Sequence, residues 1–127
     1  MTYKEKAAAL YELINQGQMM EALEQFYHDN VTVTEMPDNE VRDGKAAQAE
    51  SIKQWGEMTD EVHGGETVNI TSDEENGVTM VESWIDVSMK NGPRMKMSEV
   101  AVQKWEGDKI IDEKFYFHNP MAGQAPS

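Results

Sequence analysis

Cysteine is missing from all 127 residues. That absence removes disulfides, thiolate metal sites and cysteine nucleophiles from consideration. Basic residues are scarce, with 11 Lys and Arg against 24 Asp and Glu and a formal charge of −13. Nucleic acid is therefore not an expected partner, because phosphates require clustered Lys and Arg. An anionic membrane surface is not expected either, for want of a polybasic segment. No apolar run approaches the roughly 20 residues of a membrane span. The opening residues, Met-Thr-Tyr-Lys-Glu-Lys, lack the basic-then-apolar pattern of a secretion signal, so the expected location is the cytoplasm. The three histidines, His28, His63 and His118, show no ligand spacing, and no metal site is expected. Gly64-Gly65 has no strand and helix around it to make a phosphate-binding loop. No cofactor is expected.

What is present describes one soluble domain, expected over residues 1–119 with a flexible tail over 120–127. Apolar residues make up 39% and charged residues 28%, an ordinary globular balance, and the length suffices for a core. Over residues 4–16, Ala7, Leu10, Tyr11 and Ile14 fall at i, i+3, i+4 and i+7, one face of a helix. Gly17 is placed to cap it. Met19, Ala22, Leu23, Phe26 and Tyr27 repeat the spacing in a second helix over 18–28. A β-branched run, Val31-Thr32-Val33-Thr34, follows at once and ends on Glu35 before Met36-Pro37. A third helix starts near Lys45, with Ala49, Ile52 and Trp55 on one face.

From Thr59 onward the pattern becomes β-structure. Residues 61–72 alternate imperfectly, and 73–77 form a polar turn. Over 78–90, Val81, Ile85, Val87 and Met89 share one face while Met80 and Trp84 share the other, the face expected to point inward. Asn91-Gly92 suits a two-residue type I′ hairpin, which leads into a strand over 93–105. A turn at Glu106-Gly107-Asp108 precedes a last strand over 109–118. Helices grouped early and strands late imply an α+β fold, a curved antiparallel sheet with helices on one face. Both sheet faces carry apolar groups. One face can line a cavity; the other is the expected interface of a homodimer.

Three local patterns carry a family likeness: Phe26-Tyr27-His28-Asp29-Asn30-Val31-Thr32-Val33, Arg42-Asp43-Gly44-Lys45-Ala46-Ala47, and the stretch from Trp105-Glu106-Gly107-Asp108 to Phe115-Tyr116-Phe117. With the helix order, they make residues 5–118 resemble the nuclear-transport-factor-2-like superfamily, in particular its SnoaL-like and steroid-isomerase-like members. The resemblance implies a cone-shaped, cystatin-like α+β barrel with a pocket between sheet and helices, often dimeric through the sheet's outer face. In steroid-isomerase-like members an acidic base leaves the first strand, and Glu35 resembles it in position. The oxyanion-hole Tyr of those members maps to Leu10 or Tyr11, and their second donor maps to Ala101. Ala101 cannot donate, which argues against steroid isomerisation. SnoaL-like cyclases place an acid/base carboxylate on the last strand, where Glu113 stands.

Alternation in the last strand puts Ile111, Glu113, Phe115 and Phe117 on one side, with Glu113 the one ionisable member. Desolvation there would raise its pKa and suit it to proton transfer. The alternative leaves Glu113 at the barrel rim beside a Lys, and Glu35 at a strand end on the surface. Gln103 and Trp105 share a face with Met95, Met97, Glu99 and Ala101. Gln103 could orient a polar ligand group; Tyr11, Trp55, Trp84, Trp105, Phe115 and Phe117 could form walls, with core packing the competing role of the tryptophans. The ten methionines suit adaptable core filling, or a soft cavity or dimer surface. Two functions follow: an isomerase, cyclase or dehydratase using Glu35 and Glu113 as acid/base on a small apolar organic molecule, or a binding module of the same fold without turnover.

Overall fold

The computed structural model describes residues 1–36 and 38–117, so the expected tail over 120–127, together with His118, lies outside the described residues. Among them, no helix is long and apolar enough to cross a membrane. The described residues form three helices, α1 (Tyr3–Asn15), α2 (Met19–Phe26) and α3 (Lys45–Met58), interleaved with six strands: β1 (Tyr27–Glu35), β2 (Glu40–Asp43), β3 (Thr59–Asp73), β4 (Val78–Met89), β5 (Arg94–Glu106) and β6 (Lys109–Phe117). The α+β class holds.

Local chemistry sets the helix ends. Thr2 caps α1 through a box in which its Oγ1 accepts from the Glu5 N–H and Glu5 accepts from the Thr2 N–H. Gly17, at φ 78°, closes α1 as its sequence position suggests. The second helix stops two residues short of expectation. Tyr27 fits the helical period, yet its backbone already pairs with Ile110 as the first residue of β1.

The sheet runs β2-β1-β6-β5-β4-β3 and does not close. It is mixed rather than antiparallel, because β1 lies parallel to β6 while every other pair is antiparallel. The short edge strand β2 falls between Glu35 and Lys45, a stretch to which the sequence pattern assigns no strand. Four residues seldom carry a periodic signal, and this one exists through pairing with β1. The Asn91-Gly92 turn also differs from expectation. Only Asn91 takes a positive φ, and β5 resumes at Arg94. A two-residue turn would need an N–H from residue 93, and Pro93 has none.

The concave face meets the helices and holds the core: Ala7, Leu10 and Tyr11 of α1, Ala22, Leu23 and Phe26 of α2, and Val31, Val33, Val81, Trp105 and Ile110 from the strands. On β4 this face carries Thr79, Val81 and Val87, all fully buried. Trp84 is on the opposite face, in register with Ser98, with the Lys96 ammonium 4.2 Å from its ring centroid. The expectation that the Trp84 face turns inward is thus corrected. Strand alternation alone cannot say which face is which. On β6 a bulge lets Ile110 and Asp112 oppose the adjacent residues Trp105 and Lys104. The bulge brings Ile110, rather than Ile111, onto the face of Glu113, and Ile110 is fully buried.

Candidate functional site

The floor of the concave face is a polar chain sealed inside the core. Registers place Thr79 of β4, Gln103 of β5 and Glu113 of β6 side by side across three strands. All three are fully buried. The Trp105 indole N–H donates to Thr79 Oγ1 at 2.9 Å, and the Thr79 hydroxyl donates to Gln103 Oε1 at 2.7 Å. Gln103 Nε2 donates to Glu113 Oε2 at 2.9 Å, and the Tyr27 hydroxyl donates to Glu113 Oε1 at 2.5 Å. Gln103 Nε2 also reaches the Tyr11 hydroxyl at 3.4 Å. Among the described residues no buried side-chain polar atom is left without a partner, as a polar group in a dry core requires.

Electrostatics follow from that burial. Desolvation pushes the Glu113 carboxyl up to about 7, against the donors Tyr27 and Gln103 and the charge of Arg42, which pull it down. Burial first, and the charge of Glu113 second, hold the Tyr11 and Tyr27 phenols well above their ordinary range. Both tyrosines stay protonated at neutral pH and serve Glu113 as neutral neighbours. Glu99, one inward position beyond Ala101 on β5, is half-buried and is likewise pushed up to about 7. Desolvation is the main cause, followed by the charges of Glu113 and Glu35.

Glu35 lies on the same face as Glu113, since Val33 and Glu35 of β1 stand in register with Glu113 and Phe115 of β6. Its Oε1 accepts from Arg42 Nη2 at 3.2 Å. Arg42, inward on β2, also donates from Nε to Gln48 Oε1 of α3 at 2.7 Å, and Glu40 lies 3.6 Å from Nη1. Gln48 is itself buried, an unusual place for a glutamine that its bond to Arg42 explains.

The other sequence candidates divide. Phe115 and Phe117 are half-buried on the Glu113 face, Phe117 in register with Glu99. Trp55 is half-buried on α3, and its carbonyl accepts from the Thr59 hydroxyl. Trp105 is packed into the core, edge-on to Phe26 with centroids 6.2 Å apart. Trp84 is away from the site. An open cleft of about 390 Å³ lies between α1 and β3, lined by Tyr11, Asn15, Thr67 and Ile70 among others. Tyr11 is the one residue shared by this cleft and the buried chain. Among the described residues no group of three His, Asp or Glu is placed to hold a metal ion.

Sequence reasoning missed Tyr27, Thr79, Arg42 and Glu99. Tyr27 fits the helical period of the preceding segment, and Arg42 lies on a strand without a pattern. The other two had a usable signal. Glu99 alternates with Ala101 and Gln103, and Thr79 with Val81, which makes both inward-facing polar residues.

The SnoaL-like domain family matches the chain over residues 1–117. A Mesorhizobium loti structure provisionally named a SnoaL-like polyketide cyclase [carbohydrate phosphatase] is 31% identical; the match covers 91% of this chain and 99% of that one, with a TM-score of 0.79. A Bacillus subtilis protein provisionally named an isomerase has the same TM-score at 17% identity, covering 95% and 91%. A nuclear-transport-factor-2-like protein of unknown function from Burkholderia xenovorans superposes at 0.74 with 18% identity, covering 98% and 88%. No curated protein matches. The curved open sheet, the helices on its concave face and the match across residues 1–117 agree: the chain belongs to the SnoaL-like domain family.

Proposed function

We propose that this protein moves protons on a small, mostly apolar organic molecule held against the concave sheet face, with Glu113 as the central acid/base. The observation that carries this reading is a fully buried carboxylate, pushed up to about 7 and gripped by one donor on each oxygen. A carboxyl titrating near the working pH can both take and return a proton. Glu99 is the second acid/base in this reading. It is half-exposed on the same face, and its carboxyl is also pushed up to about 7. Glu35, a candidate from sequence, takes a different part: its bond to Arg42 makes it the anchor of a cation whose charge acts on Glu113. Phe115 and Phe117 supply apolar wall, and no cofactor is invoked. Isomerisation, cyclisation and dehydration all fit such a carboxylate pair. The Mesorhizobium and Bacillus relatives, named for cyclisation and isomerisation, support that class of reaction.

A second reading, binding without turnover, has its own observation. Both Glu113 oxygens are already engaged, and Ala101 supplies no donor to a developing oxyanion. One experiment separates the two. Small ketones with acidic α-hydrogens are incubated with the protein in deuterated buffer, and loss of the α-proton signals is followed by NMR. Turnover chemistry predicts exchange faster than buffer that drops by about 100-fold or more in Glu113→Gln. Ligand-induced shifts without exchange in the wild type would favour the binding role and overturn catalysis.

A further inference from the structure

The acid/base reading leaves unexplained why a threonine and a tryptophan complete the buried chain, since neither touches Glu113. We propose that Thr79 is a positioning residue: pinned by the Trp105 indole, it fixes the Gln103 amide so that Nε2, and not Oε1, faces Glu113. The proposal rests on the reading of Glu113 as the acid/base and says what holds that group ready.

The argument is one of donors and acceptors. An indole N–H can only donate, so Thr79 Oγ1 accepts from Trp105 at 2.9 Å. The Thr79 proton then needs an acceptor, and Gln103 Oε1 supplies it at 2.7 Å. With its oxygen taken there, the Gln103 amide presents its two N–H groups to Glu113 Oε2 at 2.9 Å and to the Tyr11 hydroxyl at 3.4 Å. A flipped amide would place a carbonyl oxygen against the Glu113 carboxylate, lone pair to lone pair. It would also set two donors, the Trp105 indole and the amide, against Thr79 Oγ1 and take away the acceptor that its proton now uses. Thr79, Gln103 and Trp105 are all buried, so water offers no alternative partner. No titratable side chain takes part between Trp105 and Gln103, so the lock holds whether Glu113 is charged or neutral.

Besides Gln103, the groups that act on the Glu113 carboxyl are Tyr27 of β1, Arg42 of β2 and Asp112 of β6; Tyr11 of α1 and Glu99 of β5 feel its charge in turn, and Glu35 of β1 acts on Glu99. Thr79 lies outside that set. A change at Thr79 therefore reaches Glu113 only through the amide.

The test titrates Glu113 by carboxyl carbon NMR in the wild type, Thr79→Val and Thr79→Ser. Valine keeps the shape and removes the hydroxyl; the amide loses its anchor, and the Glu113 midpoint rises by about one to two units as a donor to the carboxylate is lost. Serine restores the hydroxyl and returns the midpoint towards that of the wild type. A Thr79→Val midpoint equal to wild type overturns the proposal. A second measurement needs no variant: in the wild type the Gln103 amide protons show nuclear Overhauser contacts to the Tyr11 and Tyr27 rings. Contacts to the Trp105 indole proton instead would mean a flipped amide and would overturn it. Both readouts stand whether or not the protein turns a substrate over, so failed isotope exchange with an intact lock would remove catalysis alone.

Discussion

Glu113 works against the fold at alkaline pH, and its linkage can be stated with a sign. In the folded chain it titrates at about 7, whereas an unfolded glutamate titrates at about 4.3. The folded state binds this proton more tightly. The stabilisation it brings is complete below the unfolded midpoint and is lost as pH rises through about 7. The difference amounts to about 4 kcal/mol for a fully buried group. Glu99 acts in the same direction. Glu74, Asp86 and Asp108, held below the usual carboxylate range mainly by bonds to Ser72, Arg94 and Lys6, act oppositely, and their stability is lost as pH falls into that range. Urea unfolding is therefore expected to show the wild type more stable at about pH 5 than at about pH 8, with much of that slope absent from Glu113→Gln. Parallel pH profiles for the two proteins would contradict the buried, raised carboxyl. Much of this residue was legible in the sequence, because it is the lone ionisable group on an apolar strand face. Its donor Tyr27 was not, since a tyrosine at helical spacing gives no sign that the backbone has already turned to strand.

At the scale of elements, strict alternation served well until a bulge broke it. It grouped Glu113, Phe115 and Phe117 correctly because the bulge lies before Asp112, and for the same reason it put Ile111 where Ile110 belongs. A bulge depends on how two strands meet and leaves little trace in either one. The exchange of roles is measurable. Ile110→Ala empties a fully buried position and should cost about 2–5 kcal/mol. Ile111→Ala, at a half-exposed position, should cost at most about 1–2 kcal/mol. Equal losses in urea unfolding would argue against the bulge and restore simple alternation. The same limit explains β2, a four-residue edge strand whose existence rests on β1, and with it Arg42, whose inward direction follows from its register with Val33. The helices and the long strands were legible because their patterns repeat; the pairings that turn Arg42 and Tyr27 towards Glu113 are tertiary.

For the whole molecule, the question is whether a chain of charge −13 can meet a second copy of itself. The convex faces of β4, β5 and β6 offer an answer, because charge is balanced there. Arg94, Lys96, Lys104 and Lys114 alternate with Glu82, Asp86 and Asp112 around exposed Met80, Val100 and Tyr116. A two-fold axis through such a patch can set basic groups of one copy against acidic groups of the other. A standard interface takes about 800 Å² from each partner, roughly a tenth of the 7681 Å² surface of one chain. Light scattering is expected to give twice the 14.4 kDa chain mass. Val100→Glu, which adds a like charge at the centre of the patch and touches no concave-face residue, should return the protein to 14.4 kDa with its fold intact by circular dichroism. The salt response follows from the same charges. Repulsion between the acidic remainders of two copies is screened by salt, so association should tighten as ionic strength rises. Weakening with salt would instead locate the attraction in the charged rim, and a monomer at every protein concentration would leave the convex face without this partner.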